Sequence, residues 1–169
     1  MVENLFLKAY LISGTFFFTT VLFGQETFVA SFKGETSITF KPTDAKIMVA
    51  GSNDYSGSDS RSASHRTLNG GHTSSDWLTV TLSPPTGKTA SADPTVDYDS
   101  NGNVYYCFTA FNRSGPTPIQ GAIYVAKSTN NGQSWGTAVA VHLPNGGEHD
   151  DKPWMIVDRS RTPNRIYVA

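Results

Sequence analysis

Ser128-Thr129-Asn130-Asn131-Gly132-Gln133-Ser134-Trp135 lies between two apolar runs, Ala122–Ala126 and Thr137–Val141. Asn-Asn-Gly between two β-prone runs predicts a hairpin, because Asn and Gly tolerate the positive φ that a tight turn needs. Trp135 is placed to fold back over that turn and bury its ring. Working outward, the same pattern returns. Ser37-Ile38-Thr39-Phe40-Lys41 aligns with Thr95-Val96-Asp97-Tyr98-Asp99, 58 residues on, and then with Trp154-Met155-Ile156-Val157-Asp158, 59 further. Apolar residues recur at 38, 96 and 155 and at 40, 98 and 157, and Pro94 corresponds to Pro153. Each stretch is followed by a turn and a second apolar strand: Lys46–Ala50, Asn103–Cys107 and Arg165–Ala169. Trp77 and Trp135 are again 58 apart.

No helical periodicity is present after Thr27. The runs are short, and Gly, Asn, Asp, Ser and Pro punctuate them. A period near 58 with four strands per unit predicts an all-β chain of β-propeller blades, each a four-stranded antiparallel sheet. The units run from about 35 to 82, 93 to 141 and 151 to 169: two blades and the start of a third. The first unit is degenerate. Its counterpart of the turn is Thr67-Leu68-Asn69-Gly70-Gly71-His72-Thr73, with Trp77 displaced, and its third strand, Ser62–Arg66, is polar enough to be irregular or an edge. A propeller closes with typically 4–8 blades, so the chain reads as the N-terminal part of a longer protein.

Residues 1–24 read as a secretory signal peptide: a short polar start, an apolar run over Ala9–Phe23, then Gly24 and polar residues. That run is too short and too polar for a membrane span, so none is expected once the signal is removed. Residues 25–169 are then the propeller part, in a secreted or cell-surface protein. With 169 residues there is enough chain for one core. Charged residues make up 16% and the net charge is −1, which gives no electrostatic basis for binding nucleic acid. The single cysteine, Cys107, excludes an intrachain disulfide and reads as a small buried hydrophobe within an apolar strand.

The stretch Ser128–Trp135 resembles the Asp box, Ser-x-Asp-x-Gly-x-Thr-Trp, of the sialidase-like, BNR-repeat β-propellers. Ser128, Gly132 and Trp135 match. Asn130 stands where the family has Asp, and Ser134 where it has Thr. Asp151–Asp158 and the opening Glu35–Asn53 look like blade-opening strands of secreted bacterial members. The resemblance implies a glycosidase of the exo-α-sialidase type acting on extracellular glycans or glycoproteins, with a non-catalytic glycan- or protein-binding propeller as the alternative. It implies no cofactor. It places the family's arginine triad, Tyr/Glu pair and Asp acid mostly in later blades, so no catalytic residue carries over to this chain.

Propeller geometry puts the loops after second strands and the connections between blades on one face: Ser52–Arg61, Phe111–Gln120, Ser83–Asp93 and His142–Asp151. Asp54, Tyr55, Arg61, Arg113 and Glu148 are the ligand-binding candidates there. Glu148-His149-Asp150-Asp151 holds ligand-type groups, but an acidic run in a polar loop is ordinarily solvated, and no metal is expected. Asn112-Arg113-Ser114 is a glycosylation sequon.

Overall fold

The computed structural model describes residues 33–169 except Gly147, together with two short backbone pieces near the start. Those pieces, β1 (Leu11–Ile12) and β2 (Thr15–Phe16), pair antiparallel. The rest of the proposed signal segment lies outside the described residues.

The described chain is all-β. β3 (Lys33–Lys41), β4 (Asp44–Asp54), β5 (Arg61–Thr67) and β6 (Leu78–Thr81) form one antiparallel sheet in sequence order. β7 (Ala90–Tyr98), β8 (Val104–Ser114), β9 (Thr117–Ser128) and β10 (Val139–His142) form a second, again in sequence order. β11 (Met155–Asp158) and β12 (Arg165–Val168) make a hairpin. One 3-10 turn, Ser74–Asp76, is the only helical element among the described residues. Each sheet is a meander because every connection is short enough to return the chain beside itself.

The sheets stack through their first strands, with β7 packing on β3, β4, β5 and β11. Period-2 alternation decides what faces what. Val96 and Tyr98 point back to the first sheet and join a buried core with Val49, Tyr106, Phe108 and Tyr124. Met155 and Val157 are buried in the same sense, Met155 against Cys107 and Ile123 of the second sheet. Their counterparts Ile38 and Phe40 are 61% and 59% exposed. Asp97, on the opposite parity, ties the first strands together: it accepts a hydrogen bond from Thr39 at 3.4 Å and from the Val157 N–H at 2.8 Å, and it pairs with Arg159. The 58- and 59-residue offsets thus correspond to three first strands lying side by side.

Burial pushes the Cys107 thiol up to about 12, as befits a packed hydrophobe. Two expectations are corrected. The polar third strand of the first unit is neither irregular nor an edge: β5 lies between β4 and β6, with Ser62, Ala63 and Ser64 fully buried. Its small side chains leave room for the second sheet, and the Tyr106 hydroxyl donates to the Ala63 carbonyl at 3.0 Å. The loop placed at Phe111–Gln120 is mostly strand, because β8 and β9 meet at a turn on 115–116, and the one placed at Ser52–Arg61 is shorter, because β4 runs on to Asp54 and β5 starts at Arg61. Trp135 keeps most of its surface buried, as expected. Its ring lies edge-on to Tyr106 at 5.3 Å and its N–H donates to Ser64 Oγ of the first sheet at 3.0 Å, so it clamps two sheets as well as its own turn.

Candidate functional site

Among the described residues, five non-glycine residues have positive φ, and three of them, Glu35 (50°), Asp93 (56°) and Lys152 (40°), are repeat-equivalent, 58 and 59 residues apart. Glu35 and Asp93 sit at the bulges where the β3–β4 and β7–β8 registers slip, and Lys152 immediately precedes the Pro153 that matches Pro94. A bulge turns one side chain out of the sheet. Because the first strands lie side by side, these three side chains converge.

Lys152 Nζ lies 2.8 Å from Glu35 Oε2. The carboxyls of Glu35 and Asp93 share a hydrogen bond, with Asp151 also bonded to Asp93. Asn53 holds Asp93 in place: its Oδ1 accepts the Asp93 N–H at 2.6 Å and its Nδ2 donates to Asp93 Oδ1 at 3.1 Å and to the Tyr55 hydroxyl at 2.9 Å. Asn53 is itself buried. The cluster opens on a cavity of about 170 Å³ lined by Glu35, Ser37, Asp93, Lys152, Pro153 and Trp154, among others. Trp154 is 70% exposed at its edge, and Tyr55 is exposed nearby.

Two carboxyls sharing one proton cannot both ionise easily. Burial, reinforced by the hydrogen bond to Glu35, raises Asp93 to about 7. The hydrogen bond from Asp93, then that from Lys152, holds Glu35 below its usual range. Below about pH 7 the pair is a protonated carboxyl beside a carboxylate, flanked by an exposed indole. Such an arrangement can donate a proton, accept hydroxyl hydrogen bonds and stack a ring.

The sequence candidates distribute unevenly. Tyr55 belongs to this cluster through Asn53. Asp54 is buried and caps its own turn, accepting the Ser56 N–H at 2.9 Å and hydroxyl at 2.6 Å. Arg61 is spent on the backbone carbonyls of Ser60 and Thr89. Arg113 is locked by Asp59 at 2.8 Å, by the Pro116 carbonyl at 3.0 Å and over the Phe111 ring at 5.0 Å. Glu148 is exposed beside a separate cavity that Lys88 and Leu143 also line. His149 accepts the Gly121 N–H at 2.9 Å, and His142 lies 2.5 Å from Asp150, so the acidic run is engaged in loop contacts. Among the described residues, no group of three or more His, Cys, Asp or Glu is arranged to hold a metal ion. Glu35, Asp93 and Lys152 were absent from the sequence candidates, although the repeat alignment places all three in one column.

The turn residues do what their types dictate. Ser128 Oγ donates to Asn130 Oδ1 at 2.8 Å and accepts the N–H of Gly132 at 2.9 Å. Asn130 accepts the Ser134 N–H at 3.0 Å and donates to the Ser134 hydroxyl at 2.8 Å. Gly132, at φ 77°, adopts a backbone conformation that residues with a side chain rarely take, and an added Cβ would meet Val49 at 3.2 Å.

No family model and no curated protein matches the chain. Among solved structures it is similar to a protein of unknown function from Dyadobacter fermentans DSM 18053, at 14% identity and a TM-score of 0.48, over 81% of this chain and 50% of that one. The chain thus spans about half the length of that neighbour.

Proposed function

We propose that the two sheets and the hairpin are successive blades of a secreted, sialidase-like β-propeller, and that the propeller engages extracellular glycans at the rim formed by Glu35, Asp93, Lys152 and Trp154. The observation that carries this reading is the convergence of three repeat-equivalent residues on one cavity beside an exposed tryptophan. Repeats related by rotation bring equivalent residues toward a common axis, which is where a propeller binds its ligand. An indole face and hydrogen-bonding carboxyls suit a sugar ring, and a carboxyl that keeps its proton up to about pH 7 suits protonation of a glycosidic oxygen. The parent activity is then of the exo-glycosidase type.

Residues 25–169 alone are expected to hydrolyse no fluorogenic sialoside. A glycosidase needs acid, nucleophile and clamp converging on one ring, and errors near 1 Å already cost about a hundredfold. Arg61 and Arg113, the cations among the ligand-binding candidates, are engaged elsewhere. This engagement favours, as a second reading, a non-catalytic glycan-binding propeller.

The deciding experiment is calorimetric titration of the 169-residue chain with sialyllactose and with lactose. Wild type should bind at least one of them, with Trp154→Ala and Asp93→Asn each weakening binding about tenfold or more. Equal binding by wild type and both variants, or no binding to either sugar, would remove the rim from consideration.

A further inference from the structure

The chain builds one kind of interface twice, and each end of the stack exposes one half of it. The inserting half is a pair of alternate residues on a first strand. Val96 and Tyr98 of β7 are buried against the first sheet, and Met155 and Val157 of β11 are buried against the second. Ile38 and Phe40 hold the same two positions on β3, and both remain more than half exposed.

The receiving half is set by register. Thr39 pairs with Val49, Asp97 with Tyr105 and Ile156 with Tyr167, across the first and second strands of the three units. Directly opposed residues share a face of the sheet. In the first unit Val49 is buried in the core that Val96 and Tyr98 join, and in the second Tyr105 packs on the cluster that holds Met155. In the hairpin the same positions are open: Ile156 is 58% exposed and Tyr167 49%. This face is also more apolar at its first-strand position than the two before it, since Ile156 stands where Thr39 and Asp97 stand.

We propose that a second copy of this chain covers both ends, head to tail, with Ile38 and Phe40 of each copy seated on Ile156 and Tyr167 of the other. The argument for this occupant is continuity with the interface already present: β7 on the first sheet and β11 on the second show that this inserting pair fits this receiving face. A further sheet of the same repeat would cover the hairpin alone. A second copy supplies such a sheet, and its own hairpin returns the fit to Ile38 and Phe40. Inserting and receiving halves differ, so the contact is heterologous, and it closes when the rotation per unit allows. Each chain brings three first strands that lie side by side, β3, β7 and β11, so two copies bring six, within the range of about 4–8 units over which such rings close. The column of Glu35, Asp93 and Lys152 would then continue into the partner's Glu35. The proposal rests on the stacking of the sheets and is independent of the glycan reading.

The test is sedimentation equilibrium of the 169-residue chain. At about 100 μM it should give twice the monomer mass. Phe40→Arg and Ile156→Arg each place a charge in the junction, and each should weaken self-association by about tenfold or more. Both side chains are exposed in the single copy, so circular dichroism should show the fold unchanged. Mixed together, the two variants should pair with each other more tightly than either pairs with itself. The first keeps an intact hairpin face and the second an intact β3 face. Four results would each overturn the proposal: a wild-type monomer at that concentration, a dimer that either variant leaves intact, no gain on mixing, or a mass that climbs past two copies as concentration rises.

Discussion

Two turns in this molecule have one design and different outcomes. At Ser128–Trp135, Ser128 and Asn130 bond each other and the turn backbone, and Trp135 follows five residues after Asn130. At Thr67–Trp77 the same core survives: Thr67 Oγ1 donates to Asn69 Oδ1 at 2.8 Å, and Asn69 Oδ1 accepts the Gly71 N–H at 3.3 Å. There the insertion carries the 3-10 turn Ser74–Asp76, and the tryptophan is redirected. The Trp77 N–H donates to the Gly71 carbonyl at 3.3 Å, within its own turn, whereas Trp135 reaches Ser64 in the neighbouring sheet. The polar pair fixes the turn. What the tryptophan then joins depends on spacing.

The largest effect expected from this difference is at the tryptophans. Trp135→Ala removes an aromatic contact with the core and a bond between sheets, and should cost about 3 kcal/mol. Trp77→Ala opens a local turn and should cost about 1–2 kcal/mol. Urea denaturation of both variants measures this, and equal losses would remove the distinction between a clamp and a closure. Ser64→Ala sharpens it: in a double-mutant cycle it should couple to Trp135→Ala and be additive with Trp77→Ala.

Next come the hydroxyls. Ser128 is buried, and its oxygen serves the Asn130 and Gly132 N–H groups as well as Asn130 Oδ1. Ser128→Ala should cost about 2 kcal/mol, because two turn N–H groups lose their acceptor. Thr67→Val, which keeps the shape and leaves only the Asn69 N–H without its acceptor, should cost about 1 kcal/mol. Thermal melts of the two variants rank them, and a larger loss at Thr67 would reverse the order.

Strands and offsets were legible because alternation and a repeat leave local marks: Val96 and Tyr98, Met155 and Val157 are buried where the pattern put them. The Ser62–Arg66 strand misled because small polar residues can be interior when a large neighbour, here Tyr106, fills the space above them. The rim cluster was missed for a different reason. Ile38, Val96 and Met155 were aligned for hydropathy, but the same columns hold Glu35, Asp93 and Lys152 three residues earlier, and equivalence in a repeat implies proximity when first strands lie side by side. For Arg61 and Arg113 the sequence shows a cation but not the Thr89 carbonyl or Asp59 carboxylate that it contacts.

The smallest effect separates the two turns most sharply, since one substitution should act with opposite signs. Asn130 Oδ1 accepts the Ser128 hydroxyl and the Ser134 N–H, and its Nδ2 donates only to the Ser134 hydroxyl. A hydroxyl can reverse its role, so Asn130→Asp keeps every contact and makes each charge-assisted. It should add up to about 1 kcal/mol of stability. Asn69 differs at one atom: its Nδ2 donates to Asp76 Oδ1 at 2.7 Å, and Asp76 is held below its usual range first by that bond and then by the Thr73 N–H. Asn69→Asp puts a second carboxylate against the first and removes the donor, so it should destabilise. The pH dependence has a fixed sign. Both effects need ionised carboxylates, so the gain at Asn130 and the loss at Asn69 should be full at pH 7 and should both shrink as pH falls through about 4. Melting temperatures of the two variants and wild type at pH 7 and pH 3 test this. Shifts of the same sign at pH 7 would mean that Asp76 does not distinguish the turns, and a loss at Asn69 that persists at pH 3 would assign it to lost shape rather than charge.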